Sequence, residues 1–199
     1  VHVLLEPRIG GPQLRILAVA EGLRPLGIES VIILPTGSAP FQRLLESRGF
    51  EVLQTPLHRP RRSRSPLVHL EVAGKLPFEV ATLVRLLRAT HADMVHVHGL
   101  YQVHGAAAAH FAGLPLVWHL NDLLLPPFLV HSMAPLLLHR AAAVIVVSEA
   151  VRRYVFGPRG GGPGVVTIYD PPVRTGVEDL GVAPLPGERD GVRDAVPPP

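Results

Sequence analysis

The sequence predicts an α/β protein built on a doubly wound parallel sheet of about seven strands. Short apolar runs rich in β-branched residues alternate with helical patterns through residues 1–170. The strand runs are almost continuously apolar, so both of their faces need cover, and the helices between them supply it. Glycine and proline separate the segments, as expected for turns between strands and helices.

Bulk composition is compatible with one such domain. The chain has 199 residues, of which 47% are hydrophobic and 18% charged, so it can bury a sizeable core and is not disordered through most of its length. It contains no cysteine, which excludes disulfides and thiolate metal sites. The formal net charge of +3 suits an anionic substrate or an acidic membrane surface, without requiring either.

Seven segments carry the strand pattern. In chain order they span residues 1–7, 30–35, 50–56, 93–99, 115–122, 142–148 and 165–171. The first stops at Pro7, after which Gly10, Gly11 and Pro12 turn the chain into a helix. We therefore expect the glycine pair to lie at the carboxyl end of the first strand.

Helical patterns fill the intervals between the strands. Apolar residues from Ile16 to Leu23 repeat at helical spacing, and Gly27 ends that helix. The later patterns span about 41–48, 67–90, 103–112, 123–140 and 149–156. Pro77 predicts that 67–90 forms two helices or one kinked helix, and several prolines predict a broken helix over 123–140.

The alternation predicts a single Rossmann-like domain over residues 1–170, followed by a linker and poorly ordered tail over 171–199. The tail is dense in proline, glycine and charge. No secretory leader pattern opens the sequence. The most apolar stretch, 123–138, is shorter than the roughly 20 residues of a membrane span and is interrupted by prolines. We expect a cytoplasmic protein.

Candidate site residues follow the predicted strands, because ligands of open parallel sheets bind at the carboxyl ends of the strands. These residues are small or hydrogen-bonding, which suits a polar ligand such as a sugar or a phosphate. They are Gly10, Gly11, His98, Gly99, His119, Asn121, Asp122, Ser148, Glu149, Tyr169 and Asp170.

The glycine pair after the first strand has two interpretations. Gly10 and Gly11 let backbone amides approach a phosphate or sugar at a helix N-terminus. A tight turn needs glycine equally well for conformational reasons. The segment does not continue as GxGxxG, which disfavours a nicotinamide or flavin site there.

The segment VWHLND holds the candidate catalytic groups. His119 could act as a general base towards a sugar hydroxyl, with Asn121 and Asp122 orienting the imidazole or the acceptor. Asp122 fits the cap of the following helix as well. Ser148 is predicted to cap the next helix, which places Arg152 one turn inside it.

His96 and His98 lie on one side of a strand, and His119 could join them as a third zinc ligand. That constellation would define a metallohydrolase. No carboxylate cluster accompanies the histidines, so we prefer neutral, hydrogen-bonded imidazoles and expect no metal.

Residues 58–65 form a basic segment. Its arginines could contact lipid headgroups or a diphosphate, or simply be solvated, and they are Arg59, Arg61, Arg62 and Arg64. No aromatic residues are interleaved for base stacking, so we expect no nucleic-acid partner. Peripheral contact with the inner face of a membrane remains open.

Taken in order, these segments resemble the N-terminal domain of family 4 glycosyltransferases. The resemblance runs from VHVLLEPRIGGPQLRILAVAEGL through DMVHVHG, PLVWHLND and VVSEAVRRYV to VVTIYDPPV, over about 170 residues. It implies one lobe of a GT-B fold, which holds the acceptor beneath an interdomain cleft. A second lobe would bind the nucleotide-sugar.

The resemblance also assigns roles to individual residues. Gly10 and Gly11 match the glycine-rich first loop, near the donor phosphates and the acceptor. Asn121 stands where the family often has a cleft histidine, before Asp122. The pair Ser148 and Glu149 matches a Val-Ser-Glu segment. The substrate-binding residues implied are Gly10, Gly11, His98, Gly99, Ser148, Glu149, Arg152 and Tyr169.

The function implied is transfer of a glycosyl group from a nucleotide-sugar to a hydroxyl of a sugar, lipid-linked or small-molecule acceptor, without metal or other cofactor. The paired glutamates of the second lobe (Glu-x7-Glu) do not occur after Pro172, so we expect this chain to be inactive alone. Two alternatives share the lobe: a non-catalytic module that binds a ligand or partner, and half of a GT-B epimerase or phosphorylase.

Overall fold

All seven predicted strands are present in a computed structural model, which describes residues 1–6, 8–37, 39–58, 66–121 and 127–169. The strands are β1 (His2–Val3), β2 (Val31–Pro35), β3 (Glu51–Thr55), β4 (Val95–His98), β5 (Leu116–Leu120), β6 (Ala143–Val146) and β7 (Val165–Thr167). They form one sheet in the order β3-β2-β1-β4-β5-β6-β7, and every neighbouring pair is parallel. The predicted fold class is confirmed.

Six α-helices connect the strands. They are α1 (Gly11–Leu23), α2 (Ala39–Ser47), α3 (Pro66–Ala89), α4 (Val103–Ala112), α5 (Pro127–Arg140) and α6 (Glu149–Phe156). After α1, a 3-10 turn over Arg24–Leu26 ends at Gly27, whose φ of 77° is the left-handed conformation that glycine tolerates.

Both helices with an internal proline are single elements. Helix α3 passes through Pro77, in agreement with the second of the two forms predicted for 67–90, and α5 passes through Pro135. A proline removes one backbone hydrogen bond, and in α5 buried residues on either side of Pro135 hold the helix to the core. In α5, Val130 and Leu137 are both fully buried. The prediction of a broken helix is therefore wrong within residues 127–140.

The first strand is shorter than predicted. Ladder pairing covers only His2 and Val3, although Leu4 still donates its backbone N–H to the carbonyl of Ile33 at 3.0 Å. The chain then leaves the sheet at its carboxyl edge. This early exit opens space above the ends of β1 and β4.

The sheet separates two cores. Helices α1 and α2 pack over β1 and β2 on one face, where Ile16, Phe41 and Leu45 are buried against Leu4. Helices α3 to α6 cover the other face, and their core includes Leu83, Leu87, Val130, Val151 and Trp118. Chain connections change direction between β1 and β4, and this topological switch point is where α/β sheets bind ligands.

No helix among the described residues is long and apolar enough to cross a membrane. The predicted tail over 171–199 and the basic segment with Arg59, Arg61, Arg62 and Arg64 lie outside the described residues.

Candidate functional site

A cavity of about 360 Å³ opens at the switch point, above the carboxyl ends of β1 and β4. Its lining combines apolar residues from α1 and from the segment after β1 with polar residues from α1, from the end of β4 and from the loops after β1, β4 and β5. The lining residues are Leu4, Leu5, Glu6, Arg8, Ile9, Gly10, Pro12, Gln13, Ile16, His98, Gly99, Tyr101, Gln102 and Asn121. Four predicted site residues are therefore brought together: Gly10, His98, Gly99 and Asn121.

Gly10 starts α1 at the cavity wall. Its backbone is extended, and its carbonyl accepts the N–H of Leu14 at 3.0 Å. No side chain caps the helix and its first turn carries no acidic residue, so the positive end of the helix dipole is not neutralised locally. A Cβ at Gly10 would lie 3.3 Å from Oε1 of Gln13, which leaves little room for a side chain. This end of α1 therefore suits an anionic group.

Gly99 fixes the loop after β4. Its φ of 90° lies in the left-handed region that favours glycine. Its N–H donates to the carbonyl of His119 at 2.7 Å, and its carbonyl accepts the indole N–H of buried Trp118 at 2.9 Å. The loop is thus attached to β5 from both sides, which holds the adjacent His98 and Gln102 in place.

Two buried amide oxygens belong to the cavity lining. Gln102 donates its Nε2–H to the carbonyl of Val3 at 2.9 Å, while its Oε1 is buried and makes no hydrogen bond within the described part of the chain. The same is true of Oδ1 of Asn121. Buried acceptors normally have a partner. A ligand that carries hydroxyl groups would supply donors to both oxygens.

His98 presents an uncharged imidazole to the cavity. Its Nε2 lies 3.2 Å from Nδ1 of His2, and its ring stacks on His96 with centroids 4.2 Å apart. Burial, reinforced by neighbouring histidines, holds the pKa of His98 well below its ordinary value. At neutral pH this side chain therefore offers one N–H and one lone pair rather than a positive charge.

Charge at the rim comes from Glu6 and Arg8. The Arg8 Nε atom lies 2.8 Å from Oε1 of Glu6, and the Arg8 side chain is 83% exposed. An exposed pair of this kind contributes little to stability. It does place a guanidinium at the cavity mouth, where it could turn towards an anion.

Other predicted residues lie outside the cavity lining. His119 is 3% exposed and lies on the sheet face next to His98 and His96. Burial, with the nearby charge of Arg15, lowers the pKa of His119 to about 3. A base this weak withdraws a proton from a hydroxyl poorly at neutral pH. Gly11 opens α1 but does not line the cavity, and Asp122 lies outside the described residues.

The residues predicted after β6 and β7 make structural contacts. Ser148 caps α6 by accepting the N–H of Val151 at 3.2 Å, so the predicted cap is confirmed. Glu149 accepts the hydroxyl of Thr167. Arg152 donates to the carbonyl of Gly160 at 2.8 Å.

Tyr169, beyond β7, is 64% exposed and is not among the residues that line the cavity. The loops after β6 and β7 thus lie at the carboxyl edge of the sheet without joining this cavity.

Sequence reasoning missed several lining residues, namely Glu6, Arg8, Gln13, Tyr101 and Gln102. Glu6 and Arg8 lie in the connection between the first strand and the glycine pair. Their position after a parallel strand could have identified them as candidate site residues. Gln13 lies on the buried side of α1 and is 4% exposed. Buried glutamine is uncommon, so a glutamine at such a position indicates a candidate site residue.

In its fold, the seven-stranded parallel sheet with its helices matches one lobe of GT-B glycosyltransferases among solved structures. HepE of Anabaena, solved with UDP and glucose, is 23% identical with a TM-score of 0.61 over 85% of this chain and 43% of HepE. A glycosyltransferase from Rickettsia africae is 15% identical with a TM-score of 0.62, over 84% of this chain and 41% of that protein. Acinetobacter baumannii MurG is 19% identical with a TM-score of 0.51, over 73% and 40%.

The chain belongs to the glycosyl transferase 4-like domain family, whose model matches residues 10–171. It spans about two fifths of the length of the solved structures it matches. No curated protein matches the chain.

Proposed function

We propose that this domain holds the acceptor in a glycosyltransferase that transfers a sugar from a nucleotide-sugar to a hydroxyl. The observation that carries the proposal is the pair of buried amide oxygens of Gln102 and Asn121, on residues that line the switch-point cavity. Hydroxyl groups are donors that such oxygens accept. Family membership supports the reaction class.

The domain would act by positioning and by electrostatics. Acceptor hydroxyls bonded to Gln102 and Asn121 would be held in one orientation, which removes much of the entropic barrier to reaction. The uncapped N-terminus of α1 at Gly10, with Arg8 at the cavity mouth, would stabilise a departing diphosphate. Gly11 would contribute to the same anion site.

The donor is proposed to be a UDP-sugar. HepE of Anabaena was solved with UDP-glucose, and its matched region has the fold of this chain. A second lobe, supplied by another part of the protein or another chain, would bind the nucleotide. We expect the domain alone to bind nucleotide-sugars weakly and to transfer nothing.

His119, Asn121 and Asp122 remain our candidates for the reacting centre, with Asn121 in the position closest to the acceptor. His119 would act through His98, whose ring it approaches with centroids 5.5 Å apart, as a positioning residue. Ser148, Glu149, Arg152 and Tyr169 would contribute only if the second lobe brings the donor to the loops after β6 and β7. We propose no metal for the transfer step.

The test is a transfer assay on the protein that carries this domain together with its donor lobe. Asn121→Ala should raise the KM for the acceptor about 10-fold, the effect of one lost hydrogen bond of about 1.4 kcal/mol, and leave the KM for the donor unchanged. Gln54→Ala, an exposed change on β3, is the matched control. Donor hydrolysis or epimerisation with no acceptor consumed would overturn the proposal.

Acceptor binding without turnover by the protein that carries this domain with its donor lobe would favour the alternative of a non-catalytic module. Isothermal titration of the lone domain with UDP- and GDP-sugars tests the acceptor-side assignment itself. Tight, saturable binding by the lone domain would contradict the acceptor-side assignment, because the donor site is assigned to the other lobe.

We also propose that the basic segment with Arg59, Arg61, Arg62 and Arg64 contacts anionic headgroups. The segment begins directly after His58. The backbone N–H of His58 donates to the buried carboxylate of Glu79 at 3.1 Å, which fixes the point on the domain where the segment starts. Replacing all four arginines by glutamine should abolish co-sedimentation with phosphatidylglycerol vesicles. Equal sedimentation of both proteins would refute the contact.

A further inference from the structure

Four histidines share one face at the centre of the sheet. His2 is paired with His96, and His98 with His119, in the registers of three adjacent parallel strands. Because side chains alternate along a strand, all four imidazoles project to the same side. Neighbouring ring centroids lie between 4.2 and 5.6 Å apart. The transfer proposed above uses only His98 of this cluster directly.

The ring nitrogens of three of these histidines converge. One nitrogen from each of His2, His96 and His98 lies within 4.8 Å of the others, and Nδ1 of His2 is 3.2 Å from Nε2 of His98. In a tetrahedral zinc site, where nitrogen ligands lie about 2.0–2.1 Å from the ion, two ligand nitrogens are about 3.4 Å apart. The pair from His2 and His98 is already close to that separation.

Two buried nitrogens of the cluster need a partner. Nε2 of His96 and Nε2 of His119 are buried and make no hydrogen bond among the described residues. Buried polar atoms without a partner call for an explanation, and a bound ion is one. The second nitrogen of His2 lies 3.5 Å from Oγ of Ser30. An outer contact of this kind orients the imidazole of a metal ligand.

We propose that His2, His96 and His98 bind one divalent transition-metal ion, with His119 as a candidate fourth ligand. An all-imidazole donor set suits zinc, nickel or copper and does not suit calcium or magnesium. Such an ion would join β1 and β4, with His119 as a fourth ligand adding β5, and would take no part in the transfer step. His98 lines the cavity, so the ion has a path to the cluster.

One nearby charge opposes a cation. After burial, the positive charge of the Arg15 guanidinium is a further cause of the lowered pKa values of His96, His98 and His119. The same field disfavours a divalent ion there. Arg15→Gln should therefore tighten binding several-fold. Zinc bound to surface histidines outside the cluster would not respond to this change.

The experiment titrates the protein, purified without a polyhistidine tag and stripped with chelator, with zinc against a competing indicator. We expect one ion per chain, binding at least 100-fold weaker in the His96→Asn/His98→Asn double variant, and tighter binding in Arg15→Gln. The exposed pair His110→Asn/His139→Asn is the matched control and should bind as the wild type does. Cobalt titrated in place of zinc should give the intense visible bands of four-coordinate nitrogen ligation.

Three results would overturn the site: substantially less than one ion per wild-type chain, undiminished binding by a folded double variant, or loss of binding in the His110/His139 control. Circular dichroism establishes whether each variant is folded. If the double variant does not fold, the wild-type stoichiometry and the direction of the Arg15→Gln effect decide the question. All of these readouts are independent of transfer activity.

Discussion

At the residue scale, a buried carboxylate joins three elements. Glu79 on α3 is 5% exposed, and its Oε2 accepts the backbone N–H of His58 at 3.1 Å and lies 3.0 Å from Nε2 of His104 on α4. The imidazole of His58 contacts the other carboxylate oxygen. A buried carboxylate is tolerated because these partners satisfy it.

Removing this carboxylate should destabilise the domain. Glu79→Ala removes the acceptor of the His58 backbone N–H and the carboxylate beside the buried His104, so we expect a loss of about 2–4 kcal/mol in the free energy of unfolding, measured by urea denaturation. The control is Glu71→Ala on the same helix, which removes an exposed carboxylate paired with Lys75 and should cost less than about 1 kcal/mol. Equal effects of the two changes would contradict the role assigned to Glu79.

The protonation of His104 predicts that the free energy of unfolding of the domain depends on pH. Burial lowers its pKa below the ordinary value of 6.5, although the carboxylate of Glu79 pulls it upwards and His58 lowers it further. Below about pH 6.5, His104 therefore binds a proton in the unfolded chain but stays unprotonated in the folded domain. Stability is fully present above that pH and is lost as the pH falls towards the folded pKa.

His104→Gln should accordingly flatten the fall in the free energy of unfolding between pH 6.5 and pH 5. The slope should decrease by up to about 1.4 kcal/mol per pH unit, the contribution of one proton. Chemical denaturation at several pH values measures it. An unchanged slope would show that His104 is protonated alike in both states.

At the element scale, helix α4 lies unusually close to the sheet. A Cβ at Gly105 would fall 2.6 Å from Cγ1 of Val97 and 3.3 Å from Cβ of Val3. Only a residue without a side chain permits this approach. The close packing positions the start of α4, and with it Gln102, at the cavity.

A matched pair of glycine substitutions tests this packing. Gly105→Ala should lower the free energy of unfolding by about 1–3 kcal/mol, because the added methyl group forces β4 and α4 apart. Gly22→Ala, in α1, meets no atom within 4 Å and should raise it by about 0.5–1 kcal/mol through better helix propensity. Urea denaturation of both variants gives the comparison. A Gly105→Ala domain as stable as Gly22→Ala would rule out the close contact.

The strands and helices themselves were easier to predict from the sequence than the breaks within a helix. Runs such as SVIILP and AAVIVVS identified their strands because apolar β-branched residues favour a buried sheet. Pro135 predicted a break that does not occur, since local propensity does not include the packing of Val130 and Leu137 that keeps α5 continuous. Tertiary contact outweighed local preference at this position.

At the scale of the whole molecule, the sheet is most firmly held at its centre. β1 pairs with both β2 and β4, whereas β7 pairs with β6 alone among the strands of the described residues. Val166 on β7 is 47% exposed. The central strands are thus covered by neighbours on both sides, and the edge strands are not.

Hydrogen exchange should follow this arrangement. We expect amides of β4 and β5 to exchange at rates set by global unfolding, and amides of β7 to exchange faster through local opening. Mass spectrometry on peptides that contain Val95–His98 and Val165–Thr167 makes the comparison. Equal protection of the two peptides would mean that the sheet opens only as one unit.

The site could be predicted only in part, because its contacts are non-local. The rule for parallel sheets brought Gly10, His98 and Asn121 to one edge. His2 was missed because its pairing with His96 spans most of the domain. Gln102 was missed because its bond to the carbonyl of Val3 depends on how α4 docks, which spacing along the chain does not reveal.

The central position of β1 constrains how the chain is made. β1 is synthesised well before one of its two neighbours, β4, which begins only at Val95. Until β4 is synthesised, the side of β1 that later pairs with β4 has no neighbouring strand. An unpaired strand edge of this kind can pair with other chains and lead to aggregation. Slow translation between Thr55 and Val95 would lengthen that exposure, so the yield of folded protein should depend on chaperones that shield this edge during synthesis.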